Sequence, residues 1–503
     1  MMCDQATCTL YTAMSRQEVQ TQFRISELQR ALSDAPPTIS REMAFSAVPR
    51  DAIACFATLH HEMDHLRRQF SNPCGLLALH LRSRLIEACQ HLILEERNRG
   101  SEFPFPLLLK FERADWLSHA ISDPVRLVER WMAQNDQSRT VLTALATSAG
   151  IRGLEQGARV RDRVLTDAAM LRASGDGRFA PIGFAHPYLQ PEIDESIGSI
   201  HIYEHMALLH ELCWRSRLGG EMQDWGELIE GDQRYRRILM LWHSFFPDAM
   251  HLDQGAMRLK DLITDVYRMY PVEFYALLDL ALWIPFTPHG FRTTKRALRW
   301  EDIQPGHRFH RSIALLRDSG HPLTPITSED REKRFDATQE WVADELDWER
   351  ARNLANEWAE YLATEQWRED GLFIGFEPNP VISIARKMLE HRRRSPFDTV
   401  CNNIAWQQDS EMRFATWITN EGSAGFGIGG LTDDPTFSAT RDAYFLFHGC
   451  ECLLFGESAD RCLMRLDEAS RREAVTVIDN ALSCEGWDSA YFQSMTEPGW
   501  ASR

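Results

Sequence analysis

Apolar positions recur every three or four residues over most of this chain, the period of a helix with one buried face. That spacing predicts helices over residues 15–33, 51–70, 76–96, 123–148, 196–217, 257–284, 331–367 and 380–393. Two-residue alternation, the mark of a half-buried strand, is confined to "PLLLKF" at 106–111 and "MRFATWI" at 412–418. The expected fold is therefore mainly α, multi-helical with at most a small β-sheet.

The helical pattern is interrupted between 286 and 330, where Pro288, Gly290, Pro305, Gly306, Gly320, Pro322 and Pro325 punctuate the chain. This divides it into a helical region over 1–290, an irregular linker over 291–330 and a helical C-terminal region over 331–503. A second stretch without periodicity, residues 173–194, is long enough for a loop that covers a site, or for surface filler.

Composition narrows the function classes. The chain has 503 residues, 44% of them hydrophobic, enough for two or three cores of ordinary size. A formal charge of -18 and a pI near 5.5 argue against a general binder of nucleic-acid backbones, which needs a cationic footprint. The arginine run "EHRRRS" at 390–395 ends an apolar-periodic segment, where cations suit the negative end of a helix. Eleven cysteines contain no CxxC pair, and "HGCEC" (His448, Cys450, Cys452) lacks a second thiolate pair, so a reduced compartment is expected. The first thirty residues show no cationic start followed by an apolar run. The longest nearly apolar run, "FYALLDLALWIPF", is too short to span a bilayer and carries Asp279. The expectation is a cytoplasmic protein with no membrane and no nucleic-acid partner.

Chemistry enters at "FATLHHEMDHLRRQF", residues 56–70. His61, Glu62 and His65 fit HExxH, in which two histidines four apart share a helix face and reach one metal ion. Glu62 then stands beside the first histidine as a base for water made acidic by Zn²⁺. The apolar face of 51–60 would bury the helix, and "SNPCG" at 71–75 supplies turn chemistry directly after it. Asp64 is a charge at a position usually uncharged in such motifs, with Arg67 and Arg68 close behind.

A catalytic zinc takes three protein ligands and keeps one position open. The third is sought in "SIGSIHIYEHMALLHEL", residues 196–212, where His201, Glu204, His205, His210 and Glu211 stand among many apolar residues. Burying them without a metal or a charge partner would be costly. Glu204 is the first choice, with His201 and Glu211 on its face by spacing. Tyr203, His201, His205 and His210 are candidates for contacts around the metal or the transition state.

An HExxH helix followed by a later helix bearing a glutamate resembles the gluzincin group of zinc metallopeptidases. The resemblance implies a zincin-like helix pair, with His61, His65 and Glu204 as Zn²⁺ ligands, Glu62 as general base, and a peptide or protein as substrate. It covers about forty residues. The separation of His61 from Glu204 exceeds that of compact members, and Leu208 stands where many carry an acidic residue. A looser similarity links the chain to bacterial proteins with a short HExxH helix, a Pro- and Gly-containing turn and a later helix with a central glutamate.

Three other readings use the same residues. His201, Glu204 and His205 also fit the inverted HxxEH order, in which Glu204 would be the base. Glu62 and His65 form an ExxH pair of the kind used by di-iron carboxylate oxygenases, although Glu87 and His91 are four apart and do not supply the second. A helical adaptor or a degenerate zincin would account for Asp64, the acidic charge and the many tryptophans, among them Trp341, Trp348, Trp358 and Trp367. Elsewhere, "GFGIGG" at 425–430 matches GxGxxG but is followed by "LTDDPTF" instead of a helix, so a Gly-rich turn beside a strand is expected.

Overall fold

In the computed structural model the described residues are mostly helical. They are 2–4, 9–11, 17–18, 57–58, 61–62, 64–65, 68, 71–77, 197, 199–217, 233–246, 270–292, 302, 305–326, 328–364, 380–401, 415–419, 422–427 and 430–432. The expected helix at 123–148, the strand at 106–111, the loop at 173–194, Trp367 and the "HGCEC" cysteines lie outside them.

Every described position from 57 to 68 is helical, as the apolar period predicts, and Ala57, His61, Asp64, His65 and Arg68 form one buried face. The chain bends at Ser71 and Asn72, then resumes as helix over 73–77. Asn72 acts as the cap of this second segment, its Oδ1 accepting from Gly75 N at 3.0 Å, and Pro73 occupies the first turn, where its missing N–H is harmless.

Helix α1 (Ser199–Arg217) matches the predicted 196–217 segment. Every side chain from His201 to Leu212 is buried, the arrangement of a helix enclosed by protein on all sides. Helix α2 (Gln233–Phe245), which the periodicity reading did not include, packs on α1 through a buried face of Ile238, Leu241 and Trp242. Helix α3 (Val272–Leu282) is the described part of the 257–284 prediction. It starts after Pro271, whose extended backbone (φ -72°, ψ 163°) begins a new helix. All eleven of its side chains are buried. A two-stranded ribbon follows, β3 (Phe286–Thr287) with β4 (Gly290–Phe291).

The interval expected to be an irregular linker contains helix α4 (Pro305–Asp318), which corrects that reading. Pro305 and Gly306 look like breakers in sequence but occupy the first turn, where proline is tolerated. Gly306 is required by packing: a Cβ there would lie 1.8 Å from the carbonyl oxygen of Ile197, just ahead of α1. Phe309, Ile313 and Leu316 then bury α4 against α3. Buried Arg308 closes the C-terminal end of α3, donating to Leu280 O at 3.1 Å and Trp283 O at 2.9 Å.

The single helix expected over 331–367 is instead two, α5 (Arg331–Glu345) and α6 (Ala351–Ala363). Asp347 takes φ 54° in the break. The turn carries Trp348 inward, where its ring lies 3.8 Å from the Arg308 guanidinium and its Nε1 donates to Asp302 Oδ1 at 3.1 Å. Helix α7 (Pro380–Arg394) agrees with the predicted 380–393 segment, and α8 (Pro396–Cys401) follows. Helix α3 packs on both α5 and α8, so helices from either side of 291–330 share one core.

Short strands build a sheet in the order β1 (Met2–Asp4), β2 (Thr9–Tyr11), β5 (Ala415–Thr419), β6 (Gly422–Gly427), β7 (Gly430–Thr432). The β2–β5 pair is parallel and the others antiparallel. Strand β5 falls on the predicted "MRFATWI", and the Gly-rich stretch is the β6–β7 hairpin, with Gly427 paired to Gly430. Among the described residues no helix is long and apolar enough to cross a membrane.

Candidate metal centre

The histidines of the 57–68 segment face α1, and the helical spacing of each partner decides what meets what. His61 and His65 stand one turn apart, their rings edge to face with centroids 4.8 Å apart. Their Nε2 atoms are separated by 3.1 Å. Glu204 reaches both from α1, its Oε2 lying 3.3 Å from His61 Nε2 and 3.4 Å from His65 Nε2. All three residues are buried, and the group could hold a metal ion. Ligands placed tetrahedrally around an ion at zinc-like bond lengths are about 3.3 Å apart. The three edges of this triangle match that separation without any side chain having to move.

The His61 ring spans two turns of α1. While Nε2 turns to Glu204, Nδ1 lies 3.1 Å from Oε2 of Glu211, seven residues further along the same face. Thr58 Oγ1 lies 3.5 Å from the other oxygen of Glu211. A carboxylate on the far nitrogen fixes the ring orientation and leaves Nε2 as the donor atom for a metal. Burial disfavours the charged imidazolium of His61, but the two carboxylates outweigh it and push its pKa up to about 10. In the metal-free chain a proton therefore occupies the place a cation would take. Glu62 is half-buried, and its charge also favours the His61 imidazolium.

Asp64, the residue that departs from the motif, is fully buried and belongs to a second network. It accepts from Arg68 Nε and, at 2.6 Å, from Nδ1 of His210. Burial would raise the Asp64 carboxyl, yet Arg68 and His210 hold it well below the usual carboxylate range. Arg68 also donates to Val400 O at 3.0 Å, and the Asn72 side chain donates to Arg68 O. This network ties the histidine helix to α1 on one side and to α8 on the other.

The remaining sequence candidates point elsewhere on α1. Tyr203 donates its hydroxyl to Asn72 Oδ1 at 2.8 Å, and burial holds its phenol well above its ordinary pKa. His210 faces Asp64. The His205 ring packs edge-on against Phe274 of α3, with centroids 5.8 Å apart. His201 is buried, and neither it nor His205 joins Glu204 in a group with metal-ligand spacing among the described residues. Periodicity did not identify Asp64, Arg68 and His210 as one unit. The only signal was the i, i+4 spacing of Asp64 and Arg68 next to a conspicuously polar α1.

The site is thus a buried cluster of two imidazoles and one carboxylate in the arrangement of a cation centre. No family model matches the sequence, and no curated protein or solved structure is similar to it, so the resemblance to gluzincins rests on these residues alone.

Proposed function

We propose that this chain is a zinc-dependent hydrolase, with peptides as its substrate class. His61 and His65 hold the ion through Nε2 and Glu204 holds it through a carboxylate oxygen, while Glu62 is the general base. The observation that carries the reading is the triangle of donor atoms with edges of 3.1–3.4 Å. Two neutral nitrogens and one carboxylate form a donor set suited to Zn²⁺ and leave a fourth position for water or substrate. Bound there, Zn²⁺ would supply Lewis acidity, making water a nucleophile near neutral pH and polarising a carbonyl.

The chain's own residues supply the rest. Glu62 follows His61 directly and accepts a proton from the attacking water. The same carboxyl then returns that proton to the leaving amine nitrogen. Glu211 keeps His61 in the tautomer with hydrogen on Nδ1, which leaves Nε2 unprotonated for the metal. Asp64, Arg68 and His210 hold the two helices at the spacing the donors need.

The test is metal content by mass spectrometry on protein purified without a chelating tag, comparing wild type with His61→Ala, His65→Ala and Glu204→Ala. About one zinc ion per chain, absent from all three variants, is expected. Glu62→Gln should keep the zinc and lose hydrolysis of a peptide library. Iron at about two per chain would replace this reading with a di-iron oxygenase. A wild-type protein that binds no metal would overturn it and leave a helical adaptor.

A further inference from the structure

A second candidate site lies on the opposite side of α3's partners, in a cleft of about 100 Å³ between α5, α6 and the end of α7. Five guanidinium groups line it: Arg350, Arg352, Arg392, Arg393 and Arg394. The carboxylates in the lining are Asp336 and Glu340, and Glu340 lies 4.0 Å from Arg350. In a chain of formal charge -18, such an excess of cations in one concavity is unusual.

Two of the five are fully committed to the fold. Arg392 is buried and donates to Asp279, to Gln339 Oε1 at 3.1 Å and to Pro396 O at 3.2 Å. It forms a fixed floor. Arg350 pairs with Asp344 at 2.7 Å on the rim. Arg352 and Arg393 differ. Both are exposed, and among the described residues neither has a carboxylate within ion-pair distance. Arg394 has only a distant partner, Glu390 at 3.9 Å.

The backbone adds to the positive potential. Helix α6 opens at the cleft, with Arg350 at its cap position and no side chain closing the first turn. Ala351 and Arg352, the first two residues of the helix, are both in the lining. The positive end of a thirteen-residue helix thus points to the same space as the uncommitted guanidinium groups.

We propose that this cleft binds a phosphate group, between Arg352 and Arg393 and over the Arg392 floor. Guanidinium groups match phosphate oxygens in paired hydrogen bonds, and a dianion answers more of the unbalanced charge than a single carboxylate does. The volume suits one phosphate with the remainder of its carrier in solvent; pockets that enclose a whole drug-sized ligand are several times larger. The ligand is therefore inorganic phosphate or a phosphate monoester presented at the surface.

Isothermal titration of the full chain at constant ionic strength tests this, with inorganic phosphate, O-phosphoserine and acetate as probes. Saturable phosphate binding is expected in wild type, weakened about tenfold or more in the double variant Arg352→Ala/Arg393→Ala. Both side chains are exposed, so the variant should keep the wild-type circular dichroism, and Arg386→Ala, on α7 outside the cleft, should bind as wild type does. O-phosphoserine binding as well as phosphate would identify a monoester ligand, and its exclusion would identify the free ion. Absence of saturable binding, equal binding in the double variant, or equal binding of acetate would overturn the proposal.

Discussion

Two buried carboxylates in this protein are treated in opposite ways. Asp279, inside α3, is met by Arg392, by Gln339 Nε2 at 2.7 Å and by Trp283 Nε1 at 3.1 Å. Its counter-charge is an arginine, which stays charged at any pH a cell reaches. Glu204, inside α1, faces two imidazoles instead, whose charge depends on whether a proton or a metal is present. One arrangement is complete in itself and holds helices together. The other neutralises its carboxylate with something exchangeable, and that difference separates a packing device from a candidate centre of chemistry.

The comparison can be broken most forcefully at Arg392. Replacing it with Met should destabilise the protein by about 3–5 kcal/mol in urea unfolding, because Asp279 is left charged and unpaired in the core. That loss should be the same with and without added zinc. Next in size is Gly306→Ala, which drives a methyl group into the Ile197 backbone. It should cost about 1–3 kcal/mol and, because it displaces the lead-in to α1, lower zinc affinity as well. Glu211→Gln acts on the other side of the comparison: zinc affinity should fall by about 10–100-fold, read by chelator competition, with little change in metal-free stability.

The smallest expected effect is on pH dependence. His61 is raised from 6.5 to about 10 in the metal-free fold, so its pairing with Glu204 and Glu211 stabilises that fold fully below about pH 6.5. The contribution declines as pH rises and is lost beyond about 10. Zinc should remove this decline, since the ion takes over the role of the proton, and zinc binding should release a proton near neutral pH. A metal-free protein whose melting temperature is flat between pH 6.5 and 10 would show that the two carboxylates do not act on His61 in this way.

Much of the architecture was legible wherever a helix has one continuous face. Helices α1 and α7 end within a few residues of their predicted limits because their apolar period runs unbroken to the ends. The split between α5 and α6 was not legible, since residues 346–350 contain neither glycine nor proline. What ends α5 is the burial of Trp348 against Arg308, a tertiary contact, with Asp347 accommodating the unusual backbone. Helix α4 was hidden for the converse reason: Pro305 and Gly306 read as loop residues, although one suits a first turn and the other a close backbone approach.

At the candidate site, HExxH spacing singled out His61 and His65, and the polar character of an otherwise apolar α1 drew attention to Glu204. Asp64 could not be read in the same way. Its charge looked out of place beside the motif because its partner His210 is 146 residues away in sequence. Glu211 was visible as a residue on the Glu204 face, but not as the group that orients His61. Only the approach of the helices shows that it lies two turns on, in place of an acid one turn on.

The hydrogen bond from Arg68 to Val400 joins residues separated by 332 positions. Because the chain emerges from the ribosome at about 5–20 residues per second, the histidine helix waits on the order of tens of seconds before this anchor exists. Throughout that interval the nascent polypeptide carries the motif without its final support. Assembly of the centre is thereby scheduled late in synthesis, after most of the protein that will enclose it has already been made.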